Sequence, residues 1–309
     1  MIVCCGEALI DMIPRQLPDG SDVYYPIAGG AMFNTAIALG RLGERSGFFG
    51  ALSTDVFGQL LASKLSEANV DFSSCQRSDR PTTLAFVEFN GSEASYTFYD
   101  EGSAGRMLTP DSLPNFDDRV SAAHFGAISL IPEPCGSTFE TLLLREAPYR
   151  VISLDPNIRP KFIPDPDAHR KRIVRMIAAA DIVKVSVEDL DWICTSKSVK
   201  KITDEWLSGS CSIVAVTQGE KGVDVYAKNG NIHVGATTVN VVDSVGAGDS
   251  FNAGLLSALN SAGWLNKDFL EKIDTESLRY VIEFATRVAA LTVSKAGADS
   301  PWRREIQNT

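Results

Sequence analysis

The sequence predicts an α/β fold in which a mostly parallel central sheet is covered by helices, and three observations carry that prediction. Short apolar, β-branched runs alternate with stretches of helical apolar spacing along most of the 309 residues, the pattern that builds parallel sheets. A hydrophobic content of 44% with 22% charge describes a globular chain large enough for a substantial core. No repeat, low-complexity tract or linker divides the chain into serial domains, so residues 1–309 read as one body.

Taken in order, residues 2–5 form the first apolar strand, and residues 11–28, with Val23-Tyr24-Tyr25 among them, read as extended. Residues 31–42 place Phe33, Ala36, Ile37 and Gly40 on one helical face and stop at Gly43, a helix C-cap. Residues 83–89 and 94–99 flank Asn90-Gly91, a strong hairpin signal. Leu84, Phe86 and Phe98 are assigned to one face of that hairpin, with Ala85, Val87, Phe89 and Tyr99 as its other apolar groups. Apolar on both faces, such a hairpin needs cover on two sides. Segments 11–29 and 83–104 are therefore expected to form a small β-sheet lid inserted in the body. Helical patterns at 137–147, 167–180 and 188–194 alternate with strands at 151–154, 182–185 and 213–216. Residues 223–242 read as consecutive strands with turns at 228–231, and an apolar helix carrying Phe251, Gly254, Leu255, Ala258 and Leu259 is expected to begin close to Ser250.

Charge and cysteine usage exclude several classes. A formal charge of -10 with three histidines lacks the basic footprint that nucleic acid or an anionic membrane surface requires. The six cysteines form no C-x-x-C pair and have no histidines at metal-ligand spacing, so they read as reduced core thiols. With neither a signal-peptide pattern nor a membrane span, a cytoplasmic location is expected.

The chemistry concentrates at Val242-Asp243-Ser244-Val245-Gly246-Ala247-Gly248-Asp249-Ser250-Phe251, a small-residue turn opening an apolar helix. Free N–H groups and the dipole at a helix start attract anions, and glycines at 246 and 248 let the backbone approach phosphate oxygens with no Cβ in the way. A carboxylate at 249 would repel a bound phosphate, an anomaly that resolves if Asp249 takes the proton of a hydroxyl attacking a γ-phosphoryl group. Alone, the stretch reads as readily as a Gly-rich turn with an ordinary Asp or Ser helix cap. A dinucleotide fingerprint fails because its third glycine would fall on Phe251, and no Gly-Lys-Ser or Gly-Lys-Thr of a nucleotide P-loop occurs.

Further candidates lie at strand ends. Gly29-Gly30 precedes a helix with Asn34 in its first turn, where an amide can hydrogen-bond a polyol or simply satisfy local backbone. Asp11, past the first strand, carries the same ambiguity. Asp155-Pro156-Asn157-Ile158-Arg159-Pro160 offers carboxylate, amide and guanidinium groups after another strand, or a Pro/Asx turn.

The order and spacing of the Gly-Gly/Asn34 motif, the Thr217-Gln218-Gly219-Glu220-Lys221-Gly222 turn and the 243–249 stretch resemble the ribokinase-like, PfkB-type sugar kinases over essentially the whole chain. Gly6-Glu7-Ala8-Leu9-Ile10-Asp11, residues 155–160 and Ser294-Lys295-Ala296-Gly297-Ala298-Asp299-Ser300-Pro301-Trp302 look most like the bacterial fructokinase branch. The resemblance implies helices on both sheet faces and transfer from ATP to the C6 hydroxyl of fructose. Other acceptors (2-keto-3-deoxygluconate, ribose, a nucleoside) and a non-catalytic sugar or nucleotide sensor stay open, and a dinucleotide oxidoreductase is weakened by Phe251.

The resemblance further implies Asp249 as base and the amides of Gly246, Ala247 and Gly248 as anion hole. It assigns sugar contacts to Asp11, Gly30, Asn34, Asp155, Asn157, Arg159 and Asp249, and the nucleotide to Ser186, Thr217, Gly219, Gly222, Gly246 and Gly248. Mg²⁺ would bind through the nucleotide phosphates, since Ser186-Val187-Glu188-Asp189 stands where the family often has Asn-x-x-Glu. A potassium ion would be held near Asp243, Val245, Thr292, Lys295, Gly297 and Ser300, or Lys295 would itself supply the charge there. The lid is expected to close over the sugar on one face and to meet a second subunit on the other, giving a homodimer.

Overall fold

The computed structural model describes residues 1–90, 93–195 and 197–306. Strand β1 (Ile2–Cys5) is followed by the antiparallel pair β2 (Leu9–Gln16) and β3 (Asp22–Gly29), then by helix α1 (Ala31–Arg41) and β4 (Ser46–Phe49). A short β5 (Ala51–Ser53), α2 (Val56–Glu67) and β6 (Gln76–Ser78) lead to β7 (Leu84–Asn90) and β8 (Glu93–Tyr99). Strand and helix then alternate through β9 (Ala122–Gly126), α3 (Cys135–Glu146), β10 (Val151–Asp155), α4 (Pro166–Ile177), β11 (Ile182–Ser186), α5 (Val187–Ile193), α6 (Val199–Leu207) and β12 (Ile213–Thr217). The antiparallel β13 (Val223–Ala227) and β14 (Gly230–Val234) precede α7 (Ala247–Ser261), α8 (Lys267–Lys272), α9 (Thr275–Val293) and α10 (Arg303–Ile306).

The main sheet has the order β14-β13-β12-β11-β10-β9-β1-β4, parallel from β4 to β12 and antiparallel at β13 and β14. Its inner strands are predominantly apolar runs because both faces are covered. Ile2, Cys4, Ala122, Val151 and Ile213 pack under α1, α7 and α9, whereas Val3, Cys5, Phe125, Ile152 and Val214 pack against α3, α4 and α6. The chain passes from β1 to β4 on one side and to β9 on the other, so the strand order reverses at β1. Crevices at the carboxyl ends of strands form at such reversals.

A second sheet has the order β3-β2-β7-β8. Its strand β2 begins at Leu9, two residues before the expected boundary. The register pairs Ala85 with Phe98 and Leu84 with Tyr99, which corrects the expected faces: Phe98 lies with Ala85 and Val87, while Tyr99 lies with Leu84 and Phe86. Gly91 of the expected turn lies outside the described residues. Two further boundaries differ. The strand pattern after β13 ends at Val234, because residues 236–242 run irregularly and Val242 donates its N–H to Val293 O. Helix α7 starts at Ala247 rather than near Ser250, because Gly246 at φ 78 turns the chain into it early; Asp249 thereby enters the first helical turn. Cys4, Cys5, Cys135 and Cys211 are buried, Cys75 and Cys194 partly so, and none forms a disulfide. Among the described residues no helix is long and apolar enough to cross a membrane.

Candidate active site

The carboxyl ends of β1, β9, β10, β11 and β12 open into a cavity of about 990 Å³, roofed by the inner face of the small sheet and walled by the start of α7 and by α9. Asp11, Tyr96 and Phe98 face it from the small sheet, and Phe98 meets Phe162 edge-on at 4.6 Å between ring centroids. Burial raises the Asp11 carboxyl to about 6.

The Gly246 turn lines this cavity. Gly246 has no room for a side chain: at φ 78, a Cβ would stand 2.7 Å from Ala298 Cβ. Ser250 N donates to Gly246 O and Ala247 N to Ser244 O, while the amides of Gly248 and Asp249 have no acceptor among the described residues. Free N–H groups in a first helical turn form an anion cradle. The Asp249 carboxylate beside them is buried, accepts Asn34 Nδ2 at 2.9 Å, and is pushed up to about 7, chiefly by burial. The Asn34 hydrogen bond and Lys184 pull that pKa down, while Asp155 and Glu7 push it up.

Helix α1 starts beside this carboxylate through Gly30 at φ 109, where a Cβ would come within 2.9 Å of Glu7 O. Gly30 has no side chain with which to cap the helix. Glu7 does so instead, its Oε1 accepting Ala31 N at 2.7 Å; burial raises the pKa of this carboxyl, with backbone hydrogen bonds opposing the rise. Its Oε2 is buried without a hydrogen-bond partner among the described residues, and the residue lines the cavity.

The expected residues divide into two sets. Asp11, Gly30, Asn157, Arg159, Ser186, Thr217, Gly219, Gly222 and 245–249 all line one cavity. Asn34 and Asp155 are not on its lining. Asn34 acts on Asp249, and Asp155, 1% exposed, turns inward so that its Oδ2 accepts Lys184 Nζ at 3.0 Å and Asn252 Nδ2 at 2.7 Å. The expectation of a direct sugar contact for Asp155 is corrected accordingly: its carboxylate joins two strands to α7. Ser186 caps α5 in a reciprocal capping box with Asp189, whose other oxygen accepts Ile158 N at 2.7 Å and holds the Asn157-Arg159 turn.

The expected cation ligands cluster at the far side of the same turn. Asp243 accepts Val245 N and Gly297 N at 3.0 and 2.9 Å. Thr292 Oγ1 donates to Ser250 Oγ at 2.8 Å, and Ser300 Oγ is buried with no hydrogen-bond partner among the described residues. The Lys295 ammonium pairs with Glu305 at 2.7 Å.

Sequence reasoning missed Glu7, Lys184, residues 236–239 and 241, and the α9 positions Thr286, Ala289, Ala290 and Val293, all on the lining. A readable signal existed for Lys184 alone, a charge inside the apolar run Ile182-Val183-Lys184-Val185.

Comparison with known proteins gives the same picture throughout. The description "pfkB family carbohydrate kinase" matches residues 1–305. A fructokinase of Rhizobium leguminosarum bv. trifolii is 50% identical over 279 residues, covering 90% of this chain and 86% of that protein. Among solved structures, fructokinase with bound ATP from Xylella fastidiosa superposes with a TM-score of 0.89 at 30% identity, covering 99% of this chain and 97% of that one. A double mutant of the fructokinase from Vibrio cholerae O395, bound to fructose, ADP and a potassium ion, superposes at 0.86 with 25% identity and the same coverage.

Proposed function

This chain belongs to the pfkB family of carbohydrate kinases, phosphotransferases that act on a sugar hydroxyl, and from that premise we propose that it is a fructokinase making fructose 6-phosphate from fructose and ATP. The observation that carries the mechanism is the buried Asp249 carboxylate, held near neutrality beside two free amides in the first turn of α7.

In this reading the sugar lies under the inner face of the small sheet, against Asp11, Gly30 and Arg159, with its primary hydroxyl at Asp249. Asp249 takes the hydroxyl proton as the oxygen attacks the γ-phosphorus, and the bond from that phosphorus to the bridging oxygen of ADP breaks. The free amides of Gly248 and Asp249 meet the charge on the transferring oxygens. Asn34 keeps Asp249 oriented and favours its ionised form. The nucleotide extends toward Thr217, Gly219 and Gly222, with Ser186 at the end of the neighbouring strand. Mg²⁺ fits this donor set only through water and phosphate, because both Asp189 oxygens already accept backbone N–H groups and Glu188 is exposed; when bound, it would screen the charge between the nucleotide phosphates.

Two further assignments belong to this proposal. A potassium ion, as in the Vibrio cholerae relative, would be held by the Asp243 carboxylate, the buried Ser300 hydroxyl and carbonyls near Val245, Thr292, Lys295 and Gly297. The small sheet, from segments 11–29 and 83–104 on the single body of residues 1–309, would act as a lid. Its outer face carries Met12, Tyr24, Phe86 and Tyr99, with Tyr24 47% and Tyr99 62% exposed, and a second subunit would cover it. Residence in the cytoplasm accords with this metabolic role.

Coupled ADP-release assays on fructose, ribose, 2-keto-3-deoxygluconate, glucose and adenosine test the proposal. The highest kcat/KM should fall on fructose, and activity should be greater in potassium than in tetramethylammonium at equal ionic strength. A higher kcat/KM on another acceptor would reassign the substrate, and no turnover on any would favour a sensor.

A further inference from the structure

Lys184 interrupts the apolar strand β11, and its side chain is only 8% exposed. Burying an ammonium is unfavourable unless it is paired, and a buried pair is often no more stabilising than apolar side chains of the same volume. Its presence therefore asks for a reason beyond packing. The Nζ donates to Asp155 Oδ2 at 3.0 Å, an oxygen that already accepts Asn252 Nδ2, and makes no other hydrogen bond among the described residues. Two of its three N–H donors are unused.

Those donors face the reaction volume. Lys184 lines the cavity, and its Nζ lies 3.1 Å from the point where a Cβ on Gly248 would stand. A fixed cation and the free amides of Gly248 and Asp249 thus border the same space, in an interior where charge is weakly screened. Burial alone would favour the neutral amine, but the Asp155 carboxylate, with Asp189 and Asp249 behind it, outweighs burial and keeps the ammonium charged.

We propose that Lys184 is a further catalytic residue of the kinase reaction, donating its two unused N–H groups to the non-bridging oxygens of the phosphoryl group in transfer, with Asp155 and Asn252 as the residues that position it. The inference rests on the kinase reading above. Lys184 keeps its protons throughout: the only proton moved passes from the sugar hydroxyl to Asp249, while the new oxygen–phosphorus bond forms and the bond to ADP breaks. Removing a charge-stabilising donor of this kind typically lowers kcat by about 10²–10³-fold.

The test compares Lys184→Met, Asp155→Asn and the double variant in the full-length protein. Lys184→Met should lose about 10²–10³-fold in kcat, with KM for fructose and ATP within a fewfold of wild type. Calorimetry should find ADP binding kept, and binding of ADP with aluminium fluoride and fructose weakened in parallel with kcat. The double variant removes both charges; it should regain thermal stability relative to Lys184→Met without regaining kcat. If Lys184→Met does not fold, the double variant is compared with Asp155→Asn, and equal kcat in the two overturns the assignment. A Lys184→Met kcat close to wild type, or recovery of kcat in the double variant, overturns it as well and leaves Lys184 as the counter-ion of Asp155. Failure of the kinase reading is distinguishable, since the wild-type protein would then phosphorylate no sugar.

Discussion

Replacing Asp249 with asparagine should make the protein more stable while nearly abolishing its activity, and the two effects have separately calculable sizes. The folded-state pKa of about 7 lies above the ordinary 3.8, chiefly because the carboxyl is buried. A raised carboxyl is neutral in both states at low pH and contributes no penalty there. As pH rises, the unfolded chain ionises first, so stability falls until the folded pKa is passed. About three pKa units at 1.36 kcal/mol each set the full loss at about 4 kcal/mol. Asparagine does not titrate and still accepts the Asn34 amide through its carbonyl. The stability advantage of Asp249→Asn should therefore widen by about 2 kcal/mol between roughly pH 5.5 and pH 8.5. Urea denaturation of both proteins at several pH values measures it. Over the same range the variant should lose about 10²–10⁴ in kcat. A stability gap that does not change with pH would refute a desolvated carboxylate, and a kcat within a fewfold of wild type would remove Asp249 from the base role.

Asn34→Ala should shift the acid limb of the kcat/KM profile to higher pH, because the hydrogen bond it removes favours ionised Asp249; an unmoved limb would show that Asn34 does not act through the base. Asp189→Ala removes the acceptor for Ser186 N and Ile158 N, and should cost about 1–2 kcal/mol in a denaturant melt while raising KM for the sugar through a loosened Arg159 turn. The two faces of the small sheet give a paired prediction. Phe98→Ser should raise sugar KM at unchanged particle mass, and Phe86→Ser should lower the mass by light scattering with sugar KM nearly kept. The reverse pattern would contradict the observed register.

What was legible in the sequence follows from what each signal depends on. The buried parallel strands could be read because cover on both faces makes them near-continuous apolar runs, as in Ile213 to Val216. The glycines at 30 and 246 could be read because few other residues tolerate their positive φ. The faces of β7 and β8 could not, since a one-residue change of register exchanges them and the register depends on pairing that composition leaves open. Asp155 was found as a strand-end carboxylate, but whether it turns to the cavity or to the interior is decided by Lys184 and Asn252, which are distant in sequence. Residues 286–293 entered the lining because α9 packs along α7, a tertiary contact that no local pattern announces.

The two-residue alternation of the hairpin keeps two selective pressures on separate residues of one ribbon. Ala85, Val87, Tyr96 and Phe98 share one side, and Leu84, Phe86, Thr97 and Tyr99 share the other. Tyr96 and Phe98 of the first set line the cavity, so with the lid and dimer proposed above a library confined to those two positions would explore new acceptors without disturbing assembly. An insertion or deletion of a single residue in either strand would do the opposite: beyond the change, the cavity-facing residues and those of the proposed docking surface would trade places, and both properties would fail together.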